Sequence, residues 1–396
     1  MRTVLCIATY LKGEAYIREC RAQGCRVILL TADTLADAAW PRDCIDEIHT
    51  VSREADDAHF RRVVDAVARR HAIDALAALD DFDVETAGML REHLQLPGFG
   101  RTVASRFRDK LAMRTTARDN SIPVPDFTSV FNDRVVSEWI ARVPPPWVLK
   151  PRAFAAAIGI KKIQSGGELW RALEAAGDKR ADCVLEQFVR GDVYHVDSIV
   201  RGGAVVFAVA FKYGRPPMEI AHEGGVFVTK RLPDASTEGA ALLDLNRRLH
   251  GGHGLADGVS HTEFIRDADR DAILFLETSA RVGGAFIADT IEAATGVNLW
   301  REWAKVDIAG AGGTYAPPAP RTDCGAIVLS LARQEEPDMS GFTDPEIRVR
   351  LNKKHHAGLI VASPDAGRID ALVADYTARF YRDFFATAPP PERPVE

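Results

Sequence analysis

The first hundred residues alternate short β-branched apolar runs with amphipathic stretches, which is the pattern of a parallel sheet covered by helices. Strands are predicted over residues 2–8, 26–32 and 73–78. Between the last two, apolar side chains at helical spacing predict a helix over residues 57–71 that returns the chain to the sheet. We expect a Rossmann-like unit, but residues 8–13 (ATYLKG) lack the glycine triplet that holds a dinucleotide pyrophosphate.

A turn cluster at residues 97–100 (PGFG) marks the first predicted boundary, after which a helix and then mainly strands are predicted. The helices cover residues 105–119, 240–250 and 285–295, the strands cover 147–150, 158–163, 183–188, 193–200 and 204–211, and a further hairpin covers 260–280. Glycine and proline are frequent over residues 310–320. The predicted units are 1–104, 105–182, 183–312 and 313–388, followed by a flexible tail at 389–396 that is rich in proline.

Composition excludes several classes of protein. The 396 residues are 46% hydrophobic and 27% charged, which predicts two or three globular domains rather than a disordered chain. Because 50 basic residues face 56 acidic ones, no basic excess indicates a nucleic acid or an anionic membrane as partner. No apolar run approaches the ~18 residues of a membrane span, so we expect a soluble cytoplasmic protein that acts on small molecules.

Six cysteines lie scattered along the chain without a C-x-x-C motif. They are interpreted as reduced, mostly structural thiols, and a disulfide between Cys20 and Cys25 is the alternative.

Two carboxylates are predicted to face each other in the hairpin at residues 260–280. If its turn is centred on residues 269–271, Glu263 lies opposite Glu277 with Cβ atoms roughly 5 Å apart. Such a pair is tolerable where a cation bridges it, and hard oxygen ligands suit Mg²⁺, which also holds phosphates. The pair therefore indicates a site for a metal-bound nucleotide. The alternative is a solvated sheet face on which Glu263 pairs with Arg281.

The two-residue period of a strand extends this site along the second arm of the hairpin. It places Glu277, Ser279 and Arg281 on one face, with Leu276 and Ala280 on the other.

A lysine ends the otherwise apolar run at residues 147–150. A buried strand rarely carries a charge without a partner, and phosphate is the partner we expect for Lys150. The small residues at 153–159 that follow form a loop whose backbone N–H groups can cover phosphates. Lys110 is a candidate for a second cation, and its alternative role is a solvated lysine on a helix surface.

The segment at residues 184–197 (VLEQFVRGDVYHVD) is an apolar strand, a short turn and a second strand. Backbone groups along residues 186–189 can read an adenine edge, and nearby acidic or histidine side chains can bind ribose hydroxyls. His195 and Asp197 share a strand face, so the alternative for His195 is a core histidine paired with Asp197.

These pieces resemble, in their order, the ATP-grasp superfamily of carboxylate-amine ligases. The matching motifs are 109–110 (DK), 148–151 (VLKP), 185–188 (LEQF) with Gly191, Glu263, and 277–284 (ETSARVGG). The resemblance covers about residues 1–310. It implies a mixed α/β and α+β protein, in which a Rossmann-like pre-ATP-grasp domain precedes two subdomains that clamp ATP between antiparallel sheets.

The resemblance also implies roles for individual residues. By position, Lys110 and Lys150 contact phosphates, Glu186, Gln187, Phe188 and Val189 contact adenine, Asp192 or His195 contacts ribose, and Glu263, Glu277 and Ser279 hold Mg²⁺. Two departures stand out: Ser279 replaces the asparagine that is common in the family, and the loop at residues 154–159 contains less glycine.

The reaction implied is attack of a substrate carboxylate on the γ-phosphate of ATP, followed by displacement of phosphate from the acyl phosphate by an amine. Such chemistry needs positioning and charge neutralisation, so Lys150 and the planar fork of Arg281 are the catalytic candidates. Gly283 and Gly284, ahead of a predicted helix, are candidates for donating backbone N–H groups to the substrate. His222 and Glu223, in the irregular stretch 212–225, are further substrate contacts, with a solvated turn as the alternative.

Among these ligases, the Glu-x-Ser-x-Arg-x-Gly-Gly pattern most resembles amino acid ligases that join two amino acids, or an amino acid to another small acid, in a family where homodimers are common. One alternative is a biotin-dependent carboxylase-like subunit, in which residues 195–197 also have a counterpart. The other is a nucleotide-binding protein without ligase activity.

Overall fold

The computed structural model describes residues 1–154, 158–310 and 312–387. The predicted tail at 389–396 and residues 155–157 of the predicted phosphate loop lie outside this description. Within the described ranges, none of the helices combines the length and apolar character needed to cross a bilayer.

The chain begins with a parallel sheet and three helices. Its elements are β1 (Thr3–Ala8), β2 (Arg26–Ala32), β3 (Glu47–Val51), β4 (Ala75–Ala78), α1 (Glu14–Ala22), α2 (Asp57–Ala68) and α3 (Val84–Leu94). The strands pair in the order β3-β2-β1-β4, and all pairs are parallel. The predicted Rossmann-like unit is confirmed. The edge strand β3 was missed because its sequence, EIHTV, is mostly polar and only partly buried.

The helix predicted over residues 105–119 is in fact two helices, α4 (Arg101–Ser105) and α5 (Lys110–Asp119). Asp109 separates them, because its backbone is extended and its carboxylate accepts a hydrogen bond from the Leu111 N–H at 2.9 Å. Aspartate is a favoured N-cap residue, so it starts a new helix rather than continuing the previous one. The prediction of one continuous helix was wrong for this reason.

A small antiparallel sheet follows. Its elements are β5 (Phe127–Ser129), β6 (Trp147–Pro151), β7 (Lys161–Ile163), β8 (Cys183–Gln187), α6 (Asp133–Arg142) and α7 (Gly166–Ala176). The strand order is β5-β8-β6-β7. Apolar side chains of α6 and α7, among them Trp139 and Leu173, pack on Trp147 and Leu149 of β6. Both helices therefore cover one face of the sheet and leave the other face to a cavity.

The remaining chain builds a large antiparallel sheet. Its strands are β9 (Gly191–Arg201), β10 (Ala204–Tyr213), β11 (Phe227–Arg231), β12 (Gly258–Asp267), β13 (Ala272–Ser279), β14 (Cys324–Leu331), β15 (Ile347–Arg350) and β16 (His356–Ser363). Its helices are α8 (Pro217–Glu223), α9 (Thr237–His253), α10 (Ile287–Thr295), α11 (Leu299–Ala309) and α12 (Ala366–Asp383). The eight strands lie in the order β13-β12-β9-β10-β11-β14-β16-β15. Strands that follow residue 321 therefore extend the same sheet.

Both predicted hairpins are present, as β9-β10 and β12-β13. The prediction that residues 212–225 are irregular was wrong. This stretch contains the end of β10 and the helix α8. The helix predicted from residue 285 begins at Ile287, since Ala285 and Phe286 have left-handed backbone conformations, with φ of 50° and 59°. All six cysteines are free thiols, so Cys20 and Cys25 form no disulfide.

The parallel sheet and the large sheet share one hydrophobic core. It joins side chains of β1 and α1 to Phe211 of β10 and to Leu299 and Trp303 of α11. Within it, the buried Tyr16 hydroxyl lies 2.7 Å from the Asp307 carboxylate, which links α1 to α11. This shared core fixes the first unit against the large sheet.

Arg114 of α5 ties the two antiparallel sheets together. Its side chain is fully buried, and its Nη2 donates to Glu186 of β8 at 3.1 Å. Its Nη1 donates to the backbone carbonyl of Leu276 in β13. Lys150 of β6 approaches the same Glu186 carboxylate at 2.8 Å, so a buried anion holds two cations.

We expect Arg114→Met to lower the free energy of unfolding by about 3 kcal/mol, because it leaves a buried carboxylate with one fewer partner. Arg118→Met on the same helix is the matched control, since Arg118 is 59% exposed and should change stability by no more than about 0.5 kcal/mol. Urea unfolding of both variants measures the difference. Equal stability of the two variants would contradict the structural role given to Arg114.

Candidate active site

A cavity of about 760 Å³ is lined by both antiparallel sheets and by the loop that follows β4. The predicted site residues that line it are Lys110, Lys150, Glu186, Gln187, Phe188, Val189, Glu263, Glu277, Ser279, Arg281 and Gly284. Those that are not in its lining are Asp192, His195, His222, Glu223 and Gly283. The structure thus brings together the residues predicted for phosphate, adenine and metal, but not those predicted for ribose.

Glu263 and Glu277 are directly opposite each other in the antiparallel pairing of β12 and β13, as predicted. Beyond them the register shifts, because Phe264 pairs with Phe275 and leaves Leu276 as an extra residue. This bulge turns Leu276 into the same cavity as Glu277. The prediction that Leu276 points to the opposite face was wrong, since strict alternation does not pass through a bulge.

Each of the two carboxylates has its own partner. Glu277 lies 3.2 Å from Lys110 Nζ, and Glu263 accepts a hydrogen bond from the Tyr213 hydroxyl at 2.8 Å. Removal from bulk water would raise the pKa of Glu277, but Lys110 and Lys150 hold that pKa below its usual value. Burial, together with Glu263, raises the pKa of Tyr213 well above its usual value, so the phenol stays protonated and donates.

These residues fit a magnesium site. Both carboxylates line the cavity with the Ser279 hydroxyl, and two opposed carboxylates form the hard oxygen set that Mg²⁺ prefers. Lys110 compensates the charge of Glu277 at a distance of 3.2 Å.

Lys150 is buried at the end of β6 and has a carboxylate partner, Glu186. Burial lowers the pKa of Lys150 to about 8, and the nearby cations Arg114 and Lys110 act in the same direction. The Glu186 carboxylate acts in the opposite direction and raises this pKa. Lys150, for which phosphate was the expected partner, thus has a carboxylate partner within the chain, and its side chain also lines the cavity.

The segment from Glu186 to Val189 forms one wall of the cavity, as the adenine prediction requires. The Glu186 carboxylate is held by Lys150 and Arg114, so this side chain faces the two cations. Apolar side chains of Val148, Ile160 and Ile265 line the same cavity, and such walls suit a flat base.

His195 is fully buried under the cavity rather than in its lining. Its Nδ1 lies 2.6 Å from Asp197 and its Nε2 lies 2.8 Å from the Thr229 hydroxyl, so both ring nitrogens have partners. The alternative interpretation, a core histidine paired with Asp197, describes this arrangement. Asp192 is exposed and pairs with Lys212 at 2.5 Å. The alternation of side chains along β9, on which both predictions depended, does not show which face of the strand is covered by the rest of the chain.

His222 and Glu223 end helix α8 and are exposed, and Glu223 pairs with Arg215 at 2.7 Å. The structure does not bring either side chain to the cavity, because they lie on the outer side of α8. Two other residues of α8, Met218 and Ile220, line the cavity instead.

Arg281 lines the cavity just beyond β13, where its Nη1 donates to the Val282 carbonyl at 2.8 Å. Gly284 also lines the cavity. Gly283 packs beneath His261, and a Cβ atom at this position would lie 2.9 Å from His261 Nδ1. Gly283 therefore permits a close approach of two chain segments.

Sequence reasoning missed three residues that complete the site. His261, which lines the cavity, lies 2.9 Å from Asp197, and Asp197 raises the pKa of this buried ring to about 9 against the lowering effect of burial. Asp81 and Arg108 are buried and pair with each other at the cavity end nearest β4. Arg108 and Arg281 hold the pKa of Asp81 below its usual value, although burial would raise it. The acidic run at residues 80–83 directly after a parallel strand was a usable signal.

No family model matches the chain. The L-arginine-specific L-amino acid ligase of Bacillus subtilis is 22% identical over 270 residues, which are 66% of this chain and 64% of that protein. The matched region thus spans slightly less than two thirds of this relative.

Two solved structures resemble nearly the whole chain. The L-amino acid ligase from Bacillus licheniformis superposes with a TM-score of 0.73 at 15% identity, over 98% of this chain and 99% of that one. The N5-carboxyaminoimidazole synthetase from Staphylococcus aureus, complexed with ADP, gives a TM-score of 0.73 at 14% identity, over 96% and 97% of the two chains. With the sheets described above, these likenesses show that the chain has the ATP-grasp fold.

Proposed function

We propose that this protein is an ATP-dependent carboxylate-amine ligase that joins two small molecules, at least one of them an amino acid, through an amide bond. The observation that carries the proposal is the opposed pair Glu263 and Glu277 in one cavity with Lys110, Lys150 and Arg281. The relative from Bacillus subtilis, whose name is that of an amino acid ligase, supports the choice of substrates.

The proposed reaction has two steps. A carboxylate oxygen of the first substrate attacks the γ-phosphorus of ATP, the bond to the β-phosphate oxygen breaks, and ADP leaves. The amine nitrogen of the second substrate attacks the acyl carbon, the bond to the phosphate oxygen breaks, and inorganic phosphate leaves with loss of a proton from nitrogen. Neither step needs a covalent bond to the protein, so the side chains act by position and charge.

The residues of the cavity supply what these steps require. Glu263, Glu277 and Ser279 would hold Mg²⁺, which when bound neutralises phosphate oxygens. Lys110 and Lys150 would place positive charge beside the phosphates. Each now pairs with a carboxylate, Glu277 or Glu186, and the phosphates would replace that carboxylate as the partner of the lysine. The Arg281 guanidinium, which lines the cavity, would stabilise negative charge on the acyl phosphate.

We propose the division into units at 1–104, 105–182, 183–312 and 313–388, a cytoplasmic location and a homodimer. The parallel sheet, which ends with β4, supports the first boundary, whereas β8 (Cys183–Gln187) lies beyond the second boundary and still pairs within the small antiparallel sheet. Light scattering on the purified protein measures the oligomeric state.

We expect phosphate release and new amide masses when the protein is incubated with ATP, Mg²⁺ and pools of amino acids. Glu277→Gln should lower the rate at least about 100-fold, because it removes a negative ligand beside the phosphates. Asp192→Asn is the matched control, since Asp192 is exposed and outside the cavity lining, and it should retain activity. Normal turnover by Glu277→Gln would contradict the metal assignment.

The same assay separates the two alternatives. ADP formation that depends on bicarbonate and free biotin indicates a carboxylase-like subunit. Binding of ATP without turnover in any amino acid pool indicates a nucleotide-binding protein.

We expect nucleotide affinity to weaken as the pH rises above about 8, because phosphate binds the protonated form of Lys150 and its pKa in the free protein is about 8. Below that pH the cation is present and affinity is constant with respect to this group. Above it, binding must take up one proton, so the Kd rises up to about tenfold per pH unit. Lys150→Arg should flatten this dependence, since arginine stays charged, and calorimetric titration with ADP and Mg²⁺ measures it. A dependence that persists in Lys150→Arg would assign the effect to another group.

A further inference from the structure

Lys12 is a cation of the cavity to which the proposed reaction gives no role. It follows β1 in the segment 8–13, lines the cavity, and has a side chain that is 44% exposed. Its Nζ lies 2.5 Å from Asp80 Oδ2, and Asp80 Oδ1 accepts a hydrogen bond from the Phe82 N–H at 3.0 Å. The Asp80 side chain is fully buried, so it anchors the lysine, and a ligand in the cavity meets the ammonium group rather than the carboxylate.

The other cations of the cavity divide into two groups. Among the described residues, the lining cations are Lys12, Arg108, Lys110, Lys150, Arg190 and Arg281. Lys110 and Lys150 are proposed to contact phosphates, and Arg281 is proposed to stabilise the acyl phosphate. These three cations therefore serve ATP and the acyl phosphate.

The remaining two arginines have other surroundings. Both terminal nitrogens of Arg108 already have acceptors, a carboxylate and a backbone carbonyl. Arg190 follows the adenine wall at residues 186–189 and pairs with Asp269 at 3.2 Å. An ammonium group has three N–H donors, and one carboxylate oxygen takes one of them. Within the described part of the chain, Lys12 is thus the lining cation that is left for a further anion.

The loop after β4 places Lys12 near the position proposed for the acyl phosphate. Lys12 pairs with Asp80, and the next residue, Asp81, lies 3.7 Å from Arg281 Nε. Consecutive Cα atoms are about 3.8 Å apart, so the two cations contact neighbouring residues of one short segment. The amine and the carboxylate of an α-amino acid are attached to one carbon atom. An amine directed at the acyl phosphate therefore keeps its carboxylate close to a neighbouring cation.

We propose that Lys12 binds the carboxylate of the substrate that donates the amine. The amine donor is then an amino acid, and its own carboxylate stays free in the product. The inference rests on the proposed function, because it names the class of one substrate of the same reaction. A hydrogen bond between two charged groups is stronger than one to a neutral group, so the site should prefer an amino acid to its carboxamide at least about tenfold.

The test offers two kinds of amine donor in one reaction. The protein is incubated with ATP, Mg²⁺, a pool of the twenty standard amino acids and an equimolar pool of their α-carboxamides. Liquid chromatography with mass spectrometry separates products that end in a carboxylate from products that end in a carboxamide. In the wild-type protein we expect the carboxylate products to exceed the carboxamide products at least about tenfold.

Two variants of Lys12 examine the cause of this preference. Lys12→Gln should lower the ratio of the two products at least about fivefold, because glutamine carries no positive charge. Lys12→Arg should keep most of the ratio, since the charge remains. Because both products form in one reaction, the ratio does not depend on total activity. A wild-type ratio retained in Lys12→Gln, or lost in Lys12→Arg, would overturn the proposal.

Lys305→Gln is the matched control. Lys305 is 38% exposed and pairs with the buried Glu302 at 2.7 Å, much as Lys12 pairs with Asp80, but it lies outside the cavity lining. Its replacement should leave the ratio at the wild-type value. An equal fall of the ratio in both variants would attribute the effect to loss of any such ion pair and would remove the role given to Lys12.

The wild-type reaction alone also tests the inference if Lys12→Gln does not fold. Equal amounts of the two products would uphold ligase activity and overturn the inference alone. Absence of both products would contradict the proposed function, and the inference with it.

Discussion

The opposition of Glu263 and Glu277 on adjacent strands is the constraint around which this site is built. Two carboxylates at that spacing repel each other, and partial removal from water further disfavours their charged forms. The chain stabilises the pair by giving each carboxylate its own donor, Lys110 for Glu277 and Tyr213 for Glu263. The cavity therefore keeps two oxygen ligands close together on adjacent strands.

The same principle extends to Lys110 and Lys150, the two lysines proposed to bind phosphates. Each contacts a carboxylate, and both carboxylates are held by further groups, Glu186 by Arg114 and Glu277 by its strand pairing. Both lysines line the cavity, so little reorganisation would be required for phosphates to replace the carboxylates as their partners. Burial of Lys150 beside other cations lowers its pKa to about 8, which makes its charge sensitive to pH just above neutrality.

The sequence predicted most of the architecture and the centre of the site, because both follow from local patterns. Apolar runs gave β1 and β2, and simple counting across a short turn gave the Glu263–Glu277 pair. Counting failed one residue later, at the bulge that turns Leu276 into the cavity, since nothing in the alternation marks an extra residue.

The misplaced residues have a common physical cause. A strand pattern tells which residues share a face, but not whether that face is covered by other parts of the chain. His195 was for this reason expected in the cavity, whereas Thr229 of a neighbouring segment meets its ring. The contact between Asp81 and Arg281 joins positions 200 residues apart in sequence. Such contacts depend on how the units pack, which no local pattern encodes.

The parallel sheet takes part in the site through an edge that lacks the usual nucleotide signature. Ligands of open parallel sheets bind beyond the carboxyl ends of the strands, and here that edge carries Asp81 and Phe82 directly after β4. Without a glycine triplet after β1, this edge has no phosphate-binding turn, so the phosphates must be bound elsewhere. It contributes an acidic group and an aromatic surface to a cavity whose proposed phosphate-binding lysines come from later in the chain. The two kinds of sheet therefore contribute different groups. The antiparallel sheets supply charges suited to a nucleotide, and the loop after the parallel sheet supplies Asp81, which pairs with Arg108 and Arg281 at the edge of the cavity.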